Sequence, residues 1–231
     1  MISQGVRDHL IRDFHVSPQR ARLIYNGIDL YQFQLSTSHD RQLKRKEYDV
    51  QGEPILGIIA RLSSVKGIDV LIKAMPDILN VFPRTQLWIV GEGPEEAALK
   101  RLAVRLNVGD RIVFKPIVNR TSVILPIFDI FVMPSIQEGL GLSVMEAQAA
   151  GIPVVASNVG GLPDVVDDGR SGILVTPGQS RALAEKIIFL LQNPSLAQSM
   201  AREARMTIQE KFSLDQMVDK TVLFYEENLR C

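Results

Sequence analysis

Residues 134–151 read P-S-I-Q-E-G-L-G-L-S-V-M-E-A-Q-A-A-G and follow the apolar run Ile130-Phe131-Val132-Met133. The run suits a buried strand. Gly151 suits the residue just past a helix C-terminus, and Pro153 blocks continuation, so a short helix over about 142–150 is expected. A glycine-bearing turn joins strand to helix. Unpaired N–H groups at a helix start, aided by the helix dipole, make such a junction an anion site.

Two carboxylates frame it. Glu138 lies in the turn and Glu146 in the helix that follows. Helical side chains lean toward their own N-terminus, so Glu146 can reach the opening lined by Gly139, Gly141 and the amides near Leu142 and Ser143. A carboxylate can accept both hydroxyls of a vicinal diol such as ribose. Phosphate with a sugar on each side is the implied ligand. The competing reading makes Glu146 a complement to the helix dipole, about 0.3–1 kcal/mol, and Glu138 a solvated loop residue.

The pattern repeats along the chain. Strands are expected at 54–60, 86–90, 111–114, 129–133, 153–156 and 173–175. Helices are expected near 69–81, 95–106, 120–127, 163–166, 180–192, 195–212 and 215–229. Alternation at this spacing predicts an α/β fold with a doubly wound, Rossmann-like parallel sheet of about six strands. Ligands bind beyond the carboxyl ends of such strands, and the unusual loops all fall there: 61–67, 91–94, 134–141 and 157–163. Before the alternation, Ile2, Val6, Leu10 and Phe14 stand four apart, as on a single-striped helix. Arg22–Tyr25 reads as a short strand entering the turn Asn26-Gly27, and 34–52 reads as a polar surface connection. The expected organisation is a junction over 1–52, a ligand-binding domain over 53–212 and a C-terminal helix over 213–231.

Composition excludes several classes. Among 231 residues, 26 Lys and Arg balance 26 Asp and Glu, so charge gives no case for nucleic acid. Hydrophobic residues at 46% supply a real core. No apolar run approaches a membrane span, and Met1-Ile2-Ser3-Gln4 leads into a charged amphipathic segment, so no signal peptide is expected. The one cysteine, Cys231, is terminal and forms no internal disulfide. These features lead to the expectation of a cytoplasmic protein. His9, His15 and His39 lack paired ligand spacing, so no metal site is expected.

Arg61 and Lys66 share one loop. The planar fork of one and the point charge of the other could together neutralise a diphosphate without metal, although two cations in a surface loop are commonly just solvated. Gly91-Glu92-Gly93-Pro94 lacks the third glycine of a dinucleotide fingerprint and reads as structural, which leaves a nicotinamide dehydrogenase a distant third reading. Gly160-Gly161-Leu162-Pro163-Asp164 permits close backbone approach or a simple turn.

E-G-L-G-L-S-V-M-E-A-Q-A-A-G-I-P-V-V-A-S, over 138–157, resembles the signature of the retaining GT-B glycosyltransferases, group 1 or family four type, which include sucrose synthases and bacterial mannosyltransferases. The resemblance extends to R-L…K-G at 61–67, G-x-G-P at 91–94, G-G-x-P at 160–163 and the junction I-Y-N-G-I-D at 24–29. It implies the C-terminal half of a GT-B enzyme, binding a UDP-, GDP- or ADP-sugar donor without metal or other cofactor. Arg61 and Lys66 would contact the leaving diphosphate, Glu138 the transferred sugar, and Glu146 the ribose. The segment around Val118 would lie against the nucleobase, although Pro116 replaces the glycine often found there. The implied partner is an N-terminal acceptor domain of comparable size, through which alone a membrane would be contacted. The chain alone would be inactive, and apolar stripes on its first and last helices would meet that partner. Two alternatives stay open: a binding-only half-protein, and a nucleotide-sugar epimerase of the same fold.

Overall fold

The structure, a computed structural model, describes residues 1–33, 38–50 and 54–229. Six strands form one sheet: β1 (Ile55–Ile59), β2 (Gln86–Val90), β3 (Ile112–Lys115), β4 (Ile130–Met133), β5 (Val154–Ser157) and β6 (Ile173–Val175). All neighbours pair in parallel, in the order β3-β2-β1-β4-β5-β6. This is the expected doubly wound sheet. Its order reverses between β1 and β4, and a crevice opens at such a switch point.

Nine helices accompany the strands among the described residues: α1 (Gln4–Phe14), α2 (Ser38–Glu47), α3 (Ile68–Val81), α4 (Glu96–Arg105), α5 (Leu142–Ala149), α6 (Leu162–Val165), α7 (Ser180–Gln192), α8 (Pro194–Lys211) and α9 (Leu214–Leu229). Strand alternation divides the core. Leu56, Ile58 and Val132 face α3, α4 and α7 on one side. Ile55, Ile59, Phe131 and Met133 face α5, α6 and the end of α8 on the other. Both faces being covered explains why these strands read as unbroken apolar runs. None of the described helices is long and apolar enough to cross a membrane.

Three expectations need correction. Residues 34–52 are not merely a surface connection, because α2 occupies 38–47. No apolar stripe announces it; its tertiary contact is ionic. Arg41 Nη2 donates to Asp129 Oδ1 (2.6 Å) and Arg45 Nη1 to Asp129 Oδ2 (3.3 Å), while Asp129 Oδ2 also accepts the Ile55 N–H (2.7 Å). Asp129→Ala should therefore cost about 2–4 kcal/mol by leaving two guanidinium groups and a strand amide short of an acceptor. Urea denaturation measures it, and loss of helical signal before the main transition would identify α2 as the part released.

The second correction concerns Arg22–Tyr25, which joins no strand of the sheet. The segment's backbone turns to the N-terminus, with Ile24 N–H donating to the Met1 carbonyl (2.9 Å). Third, 120–127 forms two 3-10 turns, Thr121–Val123 and Leu125–Ile127, instead of one helix. Pro126 lacks the N–H a continuous helix would need. The expected start of the alternation at Glu53, and Cys231, lie outside the described residues.

Candidate functional site

The loops expected at the sheet's carboxyl edge are there, and glycines let their backbones touch. Gly67 sits at φ +62°, where a Cβ would collide with the Pro134 carbonyl oxygen. Side-chain substituents there are disfavoured twice, by conformation and by space. The contact is reinforced by Ile136 N–H donating to the Val65 carbonyl (2.8 Å). The loop after β1 is thereby tied to the loop after β4. On its other flank, Leu62 N–H donates to the Glu92 carbonyl (2.9 Å) and Glu95 N–H to the Leu62 carbonyl (3.0 Å). The G-x-G-P turn is structural, as its sequence suggested.

These loops enclose an open cleft of about 530 Å³. Arg61, Lys66, Glu138, Gly139, Gly141, Leu142, Ser143 and Glu146 all line it. Gly141, at φ +92°, starts α5 without a side-chain cap. The first helical amides, at Leu142 and Ser143, have no intrahelical acceptor in any helix, so α5 turns its positive end to the cleft.

Lys66 Nζ donates to Glu138 Oε2 (2.7 Å), which also accepts from Ser135 Oγ (3.2 Å), while Glu138 Oε1 accepts the Gly139 N–H (3.2 Å). The Glu138 side chain is only 10% exposed, against 22% for Lys66. Arg61 is exposed and makes no ion pair among the described residues. The two cations thus differ: one is already engaged with a carboxylate, the other free to meet a ligand. Lys66→Met should destabilise the domain by about 1–3 kcal/mol, since it leaves Glu138 without its counter-charge. Chemical denaturation checks this; an unchanged midpoint would mean that water and Ser135 suffice.

Glu146 is half-buried on the second turn of α5. Burial pushes its carboxyl above the usual range, and a hydrogen bond from the Thr121 side chain partly opposes the shift. A half-buried carboxylate holding spare acceptor capacity beside a helix N-terminus is suited to polar, diol-bearing ligands.

The family model described as glycosyl transferases group 1 matches residues 40–207. The chain belongs to the group 1 glycosyl transferases. An uncharacterized glycosyltransferase of Methanocaldococcus jannaschii is 31% identical over 229 residues, covering 97% of this chain and 58% of that protein. The GDP-mannose-dependent monoacylated alpha-(1-6)-phosphatidylinositol monomannoside mannosyltransferase of Corynebacterium glutamicum is 34% identical over 207 residues, covering 84% and 53%. Among solved structures, sucrose-phosphate synthase from Thermosynechococcus elongatus superimposes with a TM-score of 0.86 at 28% identity, over all of this chain and 58% of its own. The chain spans a little over half the length of these relatives, and its fold is that of a GT-B C-terminal domain.

Within this group 1 domain, one candidate departs from the others. Val118 packs, partly buried, against the core, and its neighbour Ile117, 64% exposed, lines the opening. Three contributors were missed in the sequence: Ile2 and Asn26 also line the cleft, and Thr121 contacts Glu146. Ile2 looked like one step of a helical stripe and Asn26 like a turn residue. Thr121 carried no signal at all.

Proposed function

We propose that the cleft binds the diphosphate and ribose of a nucleotide-sugar donor, UDP-, GDP- or ADP-linked, without metal. The observation that carries this reading is the convergence, at the sheet's switch point, of Arg61, Lys66, the α5 N-terminus and Glu146. Arg61 and the Leu142 and Ser143 amides receive the phosphates, and Glu146 accepts the ribose hydroxyls. Glu138 turns its remaining acceptor site, on Oε1, to a hydroxyl of the transferred sugar, held in place by Lys66. The GDP-mannose dependence of the Corynebacterium relative supports a nucleotide-sugar donor.

In the full-length protein, the proposed activity is hexosyl transfer to an acceptor with retention at the anomeric carbon. As the glycosidic bond to the diphosphate breaks, negative charge grows on the leaving oxygen. Preorganised donors at the α5 N-terminus and Arg61 stabilise that charge most where it is greatest, lowering the barrier. The acceptor would be held by an N-terminal domain, leaving this chain alone inactive. Exposed apolar residues on α9 (Val218, Val222, Leu223, Tyr225) and Phe14 of α1 suit contact with such a domain.

The test is calorimetric titration of the chain with UDP, GDP and ADP and their glucose or mannose conjugates, with and without chelator. Saturable, chelator-insensitive binding of one base supports the reading. Binding that requires added metal overturns the metal-independent part, and no binding by the chain or by a full-length protein overturns the whole.

A further inference from the structure

We propose that Asp164 is a positioning residue for the Glu138–Gly141 turn, acting through the N-terminus of α1. Three backbone layers lie against one another here. A Cβ on Gly160 would fall onto the Glu138 carbonyl oxygen, and one on Gly161 onto that of Gly139. The same Cβ on Gly161 would stand 2.6 Å from the Ser3 Cβ, and one on Gly5 would overlap the Gly160 carbonyl. The 160–161 turn is thus in close contact with both the cleft's Glu138–Gly139 backbone and the start of α1, and at Gly161 these two meet on the same side of the turn.

Asp164 closes this stack. Its Oδ2 accepts the Gln4 N–H at 2.6 Å across 160 residues of sequence. That amide is the first of α1, and Ser3 Oγ caps the Val6 N–H (3.1 Å) from within the helix's own chain. Ser3 is fully buried, yet α1 itself buries none of its residues. The helix is therefore fastened at its N-terminal end, where Ile2 reaches the cleft; its Cδ1 would lie 3.4 Å from a Cβ on Gly139. Met1 holds Arg22 and Ile24 through backbone bonds of 2.7 and 2.9 Å, which brings Asn26 to the same wall. The arrangement makes α1 a brace: when Asp164 releases Gln4, the surface that supports the Glu138–Gly139 backbone loosens, and the wall formed by Ile2 and Asn26 moves with it.

The consequence for ligand affinity rests on the proposed nucleotide-sugar role, so the first measurement uses no ligand. Hydrogen exchange followed by mass spectrometry is measured on the chain, on Asp164→Ala, Asp164→Asn and Gly5→Ala. Asp164→Ala should speed exchange in 138–141 about tenfold while α3, on the opposite face, is unchanged. Asp164→Asn keeps an acceptor for Gln4 and should restore most of the protection. Gly5→Ala leaves Asp164 intact and should loosen the same turn, so a poorly folding Asp164→Ala does not remove the test. Faster exchange confined to α1 in Asp164→Ala and Gly5→Ala, with 138–141 unaffected, would reduce Asp164 to a helix cap and overturn the inference. In a second arm, UDP, GDP and ADP are titrated into each variant; whichever binds the parent chain should bind Asp164→Ala roughly fivefold more weakly. Equal affinity overturns the positioning role. If none binds the parent, the nucleotide reading passes to titration of a full-length protein, and the exchange result still decides this one.

Discussion

Glu146→Ala should weaken nucleotide binding by about 2–3 kcal/mol, roughly 30- to 150-fold in Kd. In the proposed complex the variant removes a charged acceptor from two ribose hydroxyls and leaves the phosphate contacts in place. Glu146→Gln separates binding from folding. A carboxyl whose pKa is raised on folding, as burial raises Glu146, stabilises the fold only while protonated. That contribution is complete below the ordinary glutamate pKa and lost as pH rises through the raised value. At neutral pH the charge is a local cost, so Glu146→Gln should melt at the same temperature as the parent or higher while binding more weakly. Affinity follows the opposite sign. It needs the ionised acid, and should fall with acidification at a pH above that of an ordinary glutamate. The diphosphate titrates too, so the informative quantity is the difference between parent and Glu146→Gln across pH. Coincident curves would remove Glu146 from the ribose site.

Gly67→Ala should be among the most damaging single-methyl changes in the cleft frame, comparable to Gly160→Ala. Its φ of +62° disfavours any L side chain, and the new Cβ would meet the Pro134 carbonyl. The left-handed conformation alone costs about 1–2 kcal/mol. Gly67 also starts α3, with its carbonyl accepting the Val70 N–H (2.9 Å), so backing away from Pro134 pulls on the helix. A total near 3 kcal/mol is expected, about 6–12 °C in melting temperature for a chain of this size. Gly169 is the control: its φ is +76° but no atom lies within 4 Å of its added Cβ. Gly169→Ala should cost only the conformational part, and equal melting of the two variants would mean the loop shifts freely off Pro134.

The sheet and its edge loops were legible because their causes are local or periodic. Ile130–Met133 is apolar without interruption since both its faces are covered, and Gly151 with Pro153 marks where α5 must stop. The cleft was legible through chemistry concentrated in short stretches, at 61–67 and 138–146. What failed was long-range. Helix α2 is held by Asp129, some 84 residues from Arg45, and no periodicity records an ionic contact at that separation. Arg22–Tyr25 has strand-forming residues but no strand beside it; its partner is the N-terminal residue. Val118 sat one residue away from the side chain that faces the opening, because a loop has no fixed alternation from which to choose a face. Thr121 and Asp164 act only through atoms that the fold brings to them.

The cleft's loops are joined chiefly by main chain to main chain, through Gly67, Gly160 and Gly161. A redesign for a different ligand therefore meets two unequal kinds of position. Exposed side chains on the rim, such as Ile117 and Arg61, can be exchanged without disturbing the path of the backbone that carries them. Any diversified library should hold those glycines constant, and its diversity at the rim would then sample recognition and not collapse.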